Sequence, residues 1–307
     1  MNICVTGGAG FIGSHLVDRL IELGHDVLVI DNLSTGMRSF VHEDAQFIEM
    51  DVRDPKLLSV FEEFKPSIVF HEAAQTMVQS SMENPSYDCD VNLIGLINVL
   101  DACRKVNVEQ FLMPSSAAVY GDLAVLPLTE DLSGMPSSFY GLTKLTAEGY
   151  LRIYHKAFGL NTVCFRYANV YGPRQGDGGE GGVISIFNRL IVEGQPLTVF
   201  GDGEQTRDFI YVDDVVDANI KAMGNGQCTG IYNISTNKGT SVNELITRFR
   251  TISGTDFMVY YEDERIGDIK HSRLSNTKAE RDFGFIATTT LEDGLQKTLE
   301  YFKAYHK

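Results

Sequence analysis

The chain is predicted to be an α/β protein, with a doubly wound parallel sheet in its first part and a smaller mixed α/β lobe in its second. Short apolar runs alternate with amphipathic stretches through the first half, a pattern typical of parallel strands joined by helices that cover both faces of a sheet. A glycine-rich segment at 172–182 lacks periodicity, and mixed short elements follow it. We therefore assign 1–171 to the sheet domain and 172–307 to the second lobe, and expect a stretch near 208–235 to pack back on the first.

The first half contains the clearest strand and helix candidates. The strand candidates are short apolar runs, and they are Ile3–Val5, Val27–Ile30, Gln46–Glu49, Ser67–Phe70, Gln110–Pro114 and Asn161–Arg166. The helix candidates are longer and amphipathic, and they are Ile12–Leu23, Pro55–Phe64, Tyr87–Lys105 and Phe139–Phe158. The strands and helices alternate along the chain, so we expect the strands to lie parallel.

The second half gives shorter and more varied elements. Its strand candidates are Leu197–Phe200, Asp208–Val212 and Gly230–Ile234, and its helix candidates are Asp213–Met223, Ser241–Ser253 and Leu291–Tyr305. The first of these helices follows Val212-Asp213-Asp214, and an aspartate at a helix start accepts backbone N–H groups, so we expect this segment to cap it.

Composition excludes several classes of partner. The chain has 307 residues, enough for two lobes, and 43% hydrophobic and 22% charged residues, as in an ordinary soluble protein. Its net charge of −15 repels nucleic acid and anionic lipid, so we expect neither nucleic acid nor a membrane as a partner. An anionic substrate would need a local cluster of Arg or Lys.

The five cysteines predict reduced thiols in a cytoplasmic protein. Their number is odd and no two share a metal-ligand spacing, so neither a disulfide framework nor a metal site is expected. An apolar strand follows Met1 and Asn2 directly, without the charged region and cleavage site of a secretion signal. No apolar run approaches the length needed to span a bilayer.

A glycine motif near the start predicts a dinucleotide site. The segment Gly7-Gly8-Ala9-Gly10-Phe11-Ile12-Gly13 fits both G-x-G-x-x-G and G-x-x-G-x-x-G, and it joins the first strand to an amphipathic helix. Glycines permit the tight turn and let the backbone approach a pyrophosphate at the helix N-terminus. The motif alone also occurs in ordinary strand–helix turns, but this context favours a Rossmann-type nucleotide-binding domain.

Acidic residues after the second and third strands predict NAD rather than NADP. Asp31 can accept both ribose hydroxyls and would repel a 2′-phosphate, and Asn32 follows it without a basic residue nearby. The alternative is that Asp31 only caps a turn. Asp51 and Val52 end the third strand, where the adenine would lie, although a turn-capping role for Asp51 is nearly as good an interpretation.

A tyrosine–lysine pair predicts proton transfer beside the cofactor. Tyr140 and Lys144 are four residues apart, so they share one helix face. A free phenol has a pKa of about 10, and a nearby ammonium favours its ionised form. Ser116 ends a strand and can bond to the same sugar oxygen. Alone, the Tyr-x-x-x-Lys spacing is typical of solvated helix faces; with the glycine turn and the serine it predicts a catalytic site.

Together these motifs resemble the extended short-chain dehydrogenase/reductase superfamily, and within it the NAD-dependent nucleotide-sugar 4-epimerases of the UDP-glucose and UDP-N-acetylglucosamine type. The resemblance runs from Met1 to about residue 300. Its further markers are His71-Glu72-Ala73-Ala74, Ser115-Ser116-Ala117-Ala118-Val119-Tyr120-Gly121, Arg166-Tyr167-Ala168-Asn169-Val170-Tyr171-Gly172-Pro173 and Gly201-Asp202-Gly203-Glu204-Gln205-Thr206-Arg207-Asp208-Phe209.

The resemblance implies 4-epimerisation of a UDP-hexose through a transient 4-keto sugar. Tyr140 would take the proton of the 4′-hydroxyl while C4′ passes hydride to NAD, and the hydride would return to the other face. Ser116 would steady the oxygen and Lys144 would tune Tyr140. The cofactor contacts implied are Gly7, Gly10, Phe11, Ile12, Gly13, Asp31, Asn32, Asp51, Val52, Ala73, Ala74, Asn92, Tyr140, Lys144 and Tyr167.

The same resemblance implies a nucleotide-sugar site. Asn169 would hold a diphosphate oxygen, Arg207 and Arg265 would clamp the two phosphates, and Asp268 would accept from the uridine ribose. Each Arg alone is also typical of a surface ion pair. Ser116, Tyr140, Val183 and the uracil strand with Leu197, Val199 and Phe200 complete the implied substrate contacts.

Residue 272 bears on which sugars are accepted, and residues 117 and 118 bear on which reaction is catalysed. In the similar epimerases a bulky residue at the position of Ser272 excludes an N-acetyl group, so a serine there implies that 2-acetamido sugars are also accepted; a helix cap is the alternative. Ala117 and Ala118 stand where dehydratases carry an acidic pair, which argues against dehydration.

Thr76 replaces a lysine that in some epimerases lies near the nicotinamide ribose. The insert 177–182 is either a segment that covers the substrate or a surface loop.

Three alternatives remain open at this point. They are a UDP-glucuronate 4-epimerase, another nucleotide-sugar oxidoreductase of the same superfamily, and a non-catalytic NAD-binding protein. The resemblance also implies a homodimer formed through the helices at Tyr87–Lys105 and Phe139–Phe158.

Overall fold

A parallel sheet of seven strands dominates the computed structural model, which describes residues 1–176, 182–264 and 269–305. In chain order the strands are β1 (Asn2–Thr6), β2 (Asp26–Asp31), β3 (Gln46–Glu49), β4 (Ile68–His71), β5 (Gln110–Ser116), β6 (Asn161–Tyr167), β7 (Asn169–Tyr171), β8 (Leu197–Phe200), β9 (Thr206–Arg207), β10 (Phe209–Tyr211), β11 (Gly230–Ile234), β12 (Thr240–Ser241) and β13 (Val259–Glu262). The order across the large sheet is β11-β6-β5-β4-β1-β2-β3.

Helices connect and cover these strands. They are α1 (Phe11–Glu22), α2 (Leu57–Phe64), α3 (Val78–Glu83), α4 (Pro85–Cys89), α5 (Leu96–Val106), α6 (Phe139–Phe158), α7 (Val183–Val192), α8 (Val212–Ala222), α9 (Val242–Ser253), α10 (Thr277–Phe283) and α11 (Leu291–Tyr305). Within the described ranges, none is long and apolar enough to cross a bilayer.

The strand order reverses beside β1, which places a crevice there. β1 pairs on one side with β2 and on the other with β4. In open parallel sheets, ligands bind outside the carboxyl ends of the strands at such a reversal. The glycine motif follows β1 and the segment at 72–75 follows β4, so both lie at this crevice.

Four apolar clusters build the core; the smallest gathers Val119, Tyr120, Leu128 and Leu274, and the other three are larger. One lies on the sheet face covered by α1 and α8, and a second on the face covered by α2, α5 and α6. The third joins α7, α9 and α11 beside the short strands β7, β8 and β10, away from the large sheet. β11 pairs with β6, and its buried Tyr232 and Ile234 belong to the first cluster. The proposed division at residue 171 stays a prediction.

The sequence-based elements agree well with the first half of the structure. Each of its six strand candidates matches a strand of the large sheet, and the doubly wound parallel α/β class is confirmed. The helix expected at Tyr87–Lys105 is interrupted, because a π-helical turn at Asp90–Gly95 joins α4 to α5. Such turns insert one extra residue into a helix and often occur at functional sites.

The second half contains elements that were not anticipated and one expectation that was wrong. The helices α7 and α10 and the strands β7, β9, β12 and β13 had no clear sequence signal, and neither had the short helix α3 in the first half. Asp213 and Asp214 do not cap α8, whose N-cap is Tyr211 without a side-chain hydrogen bond. Asp214 instead accepts hydrogen bonds from the backbone N–H groups of Thr288 and Thr289, which tie α8 to the segment before α11.

Candidate active site

The glycine turn between β1 and α1 forms a cradle with no room for side chains. Gly7 has a φ of +73°, and a Cβ there would overlap the backbone of Glu72 and Ala73 after β4. A Cβ on Gly13 would overlap the carbonyl oxygen of Gly7. The N-cap of α1 is Gly10, which has no side chain to cap the first N–H groups of the helix. This arrangement fits the pyrophosphate of a dinucleotide.

Asp31 lies at the end of β2, next to the cradle. Its carboxylate accepts hydrogen bonds from the backbone N–H of Ala9 at 3.0 Å and of Leu33 at 2.8 Å. Asp31 therefore caps the turn after β2, as the alternative interpretation of this residue predicted, and it also joins that turn to the glycine motif. One carboxylate thereby fixes the edge of the crevice where a ribose would lie.

Asn32 and Asp51 meet at the outer end of the crevice. The Asn32 amide donates to Asp51 at 2.8 Å, and the guanidinium of Arg53 donates to both Asp51 oxygens. These bonds hold the pKa of Asp51 well below its usual range. Arg53, which the sequence analysis missed, also pairs with Asp90 at 2.6 Å in the π-helical turn. Val52 is buried in the second apolar cluster.

Asn92 is buried and holds the segment after β4 in place. Its side chain accepts from the backbone N–H of Gln75 and donates to the Gln75 carbonyl, to Asp88 and to the Thr143 hydroxyl. Asp88 also accepts from the Gln75 amide at 2.6 Å and from the Thr143 hydroxyl at 2.8 Å. This network fixes the segment with Ala73 and Ala74 against α6; Gln75, Asp88 and Thr143 were not singled out from the sequence.

Tyr140, Lys144 and Ser116 come together where α6 crosses the end of β5. Ser138 caps α6 by accepting from the N–H of Gly141, which starts the helix just before Tyr140. The Lys144 ammonium nitrogen lies 5.9 Å from the centre of the Tyr140 ring and donates to the carbonyl of Pro114 at 3.0 Å. Ser116 ends β5, and its hydroxyl accepts from the backbone N–H of Ala118 at 3.1 Å and interacts with the Tyr140 phenol in a way that lowers the pKa of that phenol.

The electrostatics of this cluster are set by burial. Burial raises the pKa of the Tyr140 phenol to about 12, and the hydrogen bond with Ser116 opposes that rise. Burial lowers the pKa of Lys144, while the nearby Cys164, Glu72 and Asp88 oppose the change. In the protein alone, the phenol is therefore protonated at neutral pH. A further positive charge beside it would favour the phenolate.

Two unanticipated titratable groups lie beside Lys144. Burial raises the pKa of the Glu72 carboxyl to about 7, against the attraction of Lys144, and Glu72 Oε1 is buried without a hydrogen-bond partner within the described residues. Burial and Lys144 lower the pKa of His71 to about 3, and its ring pairs with the Thr6 hydroxyl at 2.8 Å. Both residues belong to the His71-Glu72-Ala73-Ala74 motif.

The substrate residues expected in the second lobe are brought together around Asp208. The Asn169 N–H donates to the Asp208 carbonyl at 2.8 Å, and the Asp208 carboxylate accepts from the N–H of Leu274. The adjacent Arg207 donates to the Thr206 carbonyl, which also accepts from the N–H of Ser272. Ser272 is buried and lies outside any helix, so the helix-cap interpretation was wrong.

Several expected contacts fall elsewhere or outside the described residues. Leu197 and Val199 are buried in the third apolar cluster, whereas Phe200 and Val183 are partly exposed. Tyr167 is buried, and its hydroxyl accepts from the Asn219 amide at 2.7 Å. Arg265, Asp268 and most of the 177–182 insert lie outside the described residues. In the part of the chain that is described, no three His, Cys, Asp or Glu side chains gather as metal ligands.

Comparison with known proteins gives full-length matches. Residues 3–235 match the model of the NAD dependent epimerase/dehydratase family. The chain is 38% identical to the UDP-glucose 4-epimerase of Mycolicibacterium smegmatis, covering 99% of both chains. It is 42% identical to the Thermotoga maritima UDP-glucose 4-epimerase solved with UDP-glucose, with a TM-score of 0.96 and full coverage of both chains.

A third similar protein is named for an N-acetylated sugar nucleotide. The UDP-N-acetylglucosamine 4-epimerase of Methanobrevibacter ruminantium, solved with UDP-N-acetylmuramic acid, is 35% identical over 99% of this chain and 98% of its own, with a TM-score of 0.94. The glycine cradle and the tyrosine–lysine–serine cluster lie within the matched region. From these matches we conclude that the chain belongs to the NAD dependent epimerase/dehydratase family.

Proposed function

We propose that this protein is an NAD-dependent UDP-hexose 4-epimerase. It interconverts UDP-glucose and UDP-galactose, and also UDP-N-acetylglucosamine and UDP-N-acetylgalactosamine, through a 4-keto sugar that stays in the site. The observation that carries the proposal is the junction of α6 and β5, where Tyr140, Lys144 and Ser116 meet beside the glycine cradle. The full-length similarity to UDP-glucose 4-epimerases supports it.

The chemistry of the proposal follows from the three side chains. Tyr140 removes the proton of the sugar 4-hydroxyl in one half-reaction and returns it in the other. Ser116 shares the same oxygen and lowers the pKa of Tyr140 by its hydrogen bond. Lys144 lies beside the phenol ring, and it would hold a hydroxyl of the nicotinamide ribose. Bound NAD would supply the reversible hydride acceptor for C4 of the sugar.

The cofactor is assigned to the crevice at β1 and β4. The backbone at Gly7, Gly10, Phe11, Ile12 and Gly13 would hold the pyrophosphate, supported by the space that only glycines leave. Asp31 and Asn32 would take the adenosine ribose, with Asp51 and Val52 near the adenine and with Ala73, Ala74, Asn92 and Tyr167 toward the nicotinamide end.

The nucleotide sugar is assigned to the second lobe. Arg207 and Arg265 would bind the diphosphate with Asn169, and Asp268 the uridine ribose, with uracil along the strand at Leu197–Phe200 and near Val183. The grouping of Asn169, Arg207 and Ser272 around Asp208 supports this assignment.

Assembly, location and domain division complete the proposal. A homodimer would form through α4, the π-helical turn and α6, supported by exposed apolar residues there, with Ile94 53% and Ile153 57% exposed. A cytoplasmic location stays a prediction, supported by five cysteines that are all free thiols. The division into a cofactor lobe and a sugar lobe near residue 171 is proposed with the same assignments.

The central prediction is epimerase activity that depends on Tyr140. A coupled assay with UDP-glucose, UDP-N-acetylglucosamine and UDP-glucuronate should give turnover of the first two without net NADH. Tyr140→Phe should lower kcat by about 10³-fold because the proton acceptor is lost, while the affinity for NAD stays within about twofold. Activity on UDP-glucuronate alone, or stoichiometric NADH, would replace the proposal by one of its alternatives; wild-type rates in Tyr140→Phe would remove Tyr140 from the site.

A second prediction concerns the glycine cradle. Gly13→Ala should abolish NAD binding, because the new Cβ overlaps the Gly7 carbonyl and displaces the turn. The measurement is titration calorimetry with NAD, together with the absorbance of cofactor released by acid from the purified protein. Gly149→Ala is the matched control, since a Cβ there meets no atom within 4 Å; equal NAD binding by both variants would contradict the assignment.

A third prediction tests the sugar specificity. Ser272→Tyr should eliminate turnover of UDP-N-acetylglucosamine and preserve that of UDP-glucose. The reason is that the tyrosine ring would fill the space beside C2 of the sugar, where the N-acetyl group would lie. Ser272→Ala should turn over both sugars and serves as the control for loss of the hydroxyl. Loss of both activities in Ser272→Tyr, or of neither, would count against Ser272 as the residue that selects the sugar.

The last prediction of this section concerns assembly. Sedimentation of the wild type should give about twice the 34.1 kDa mass of the chain. Replacing both Ile94 and Ile153 by Asp should give monomers, since each new charge would be buried in the interface. Val125→Asp, on a loop residue 65% exposed, should remain dimeric. A monomeric wild type refutes the dimer.

A further inference from the structure

A buried ion pair behind the proposed catalytic cluster has no part in the chemistry described above. Glu148 and Arg166 are paired at 2.7 Å, and each side chain is only 4% exposed. Arg166 donates to both carboxylate oxygens, through Nε at 2.9 Å and Nη2 at 2.7 Å. The pair holds Glu148 in one orientation, because a bidentate guanidinium–carboxylate contact fixes both groups in a plane.

The Glu148 carboxylate accepts a third hydrogen bond, from the strand that carries Ser116. The Ser115 hydroxyl donates to Glu148 Oε1 at 2.6 Å, and Ser115 is itself buried. Ser115 and Ser116 are the last two residues of β5, and in the sheet they face Arg166 and Tyr167 of β6. The contact therefore joins α6 to the residue directly before Ser116.

The contact between Ser115 and Glu148 lies on the same face of α6 as the proposed catalytic residues. Tyr140, Lys144 and Glu148 are four residues apart, so they lie along one face of the helix. That face meets the end of β5 at three positions: the Tyr140 phenol at Ser116, the Lys144 ammonium at the Pro114 carbonyl, and Glu148 at Ser115. Lys144 is assigned to the cofactor, so among these three contacts Ser115–Glu148 is the one without a proposed part in binding or proton transfer.

We propose that Ser115, held by the Glu148–Arg166 pair, is a positioning residue that sets the distance between the Ser116 hydroxyl and the Tyr140 phenol. The proposal rests on the proposed epimerase chemistry. Without the Ser115 hydroxyl, α6 keeps its fold and the Glu148–Arg166 pair, but it loses its direct side-chain contact with Ser115 and can move by a small amount relative to the end of β5. The Ser116–Tyr140 hydrogen bond then weakens, and the phenol loses a contact that favours its ionised form.

The test uses Ser115→Ala in the full-length protein loaded with NAD. Because the weaker hydrogen bond raises the pKa of Tyr140, the acidic limb of the kcat profile should move to higher pH, by about half a unit or more. At neutral pH, kcat should fall about threefold to tenfold, while KM for UDP-glucose changes less than twofold. A residue that only stabilised the fold would lower the melting temperature and leave the pH profile in place.

Thr162→Val is the matched control. The Thr162 hydroxyl is buried and donates to the Leu151 carbonyl at 3.3 Å, so it too joins a strand to α6, but at the end of the helix away from Tyr140. This variant should lose a similar amount of thermal stability and keep the wild-type kcat and pH profile. Equal profiles for the wild type and Ser115→Ala, or equal shifts in both variants, would overturn the proposal.

A second measurement separates this inference from the proposed function. The ultraviolet absorbance of tyrosinate, taken as the difference between each protein and its Tyr140→Phe counterpart, reports the pKa of Tyr140 without turnover. If the wild type epimerises no UDP-sugar, the function fails, and the titration still decides the positioning role: a higher Tyr140 pKa in Ser115→Ala upholds it, and an unchanged pKa overturns it. If the wild type is active and neither readout changes, only the positioning role fails.

Discussion

Burial of one phenol is the constraint on which the proposed site depends. Removing Tyr140 from water raises its pKa to about 12, although Ser116 bonds to it and Lys144 lies beside it. The charges of the protein alone do not make it a base at neutral pH. The oxidised nicotinamide carries a further positive charge, and its arrival would favour the phenolate. Proton removal would then be coupled to the presence of the group that accepts the hydride.

Two buried polar networks hold α6 in the position that this coupling requires. Asp88, Asn92, Gln75 and Thr143 join the start of the helix to the segment after β4. Glu148, with its partners on β5 and β6, holds the middle of the helix. Buried polar groups are costly unless each has its partners, and satisfied networks of this kind favour one arrangement over near alternatives. If the proposed positioning role holds, hydrogen bonds as well as apolar packing set the approach of Tyr140 to Ser116.

The sequence was sufficient for the large sheet and for the residues at its carboxyl edge, because apolar runs, the glycine motif and the Tyr-x-x-x-Lys spacing are local signals. It was insufficient where the structure depends on distant partners. The π-helical turn at Asp90–Gly95 forms inside a segment with ordinary helical periodicity. Asp214 lies in the first turn of α8, and its carboxylate nevertheless accepts hydrogen bonds from Thr288 and Thr289, which follow more than seventy positions later in the chain. No local pattern at Glu72 predicted that its Oε1 would be buried without a hydrogen-bond partner among the described residues, since burial is a property of the whole fold.

The distribution of thiols has a practical consequence for labelling. Four cysteines are buried, and burial raises the pKa of each of them, so they remain protonated and react slowly with electrophiles. Cys89, at the end of α4, is exposed. In a single chain, a maleimide dye should therefore attach at one place, next to the π-helical turn. Because α4 belongs to the proposed dimer interface, association of two chains should slow the reaction of Cys89 with the dye.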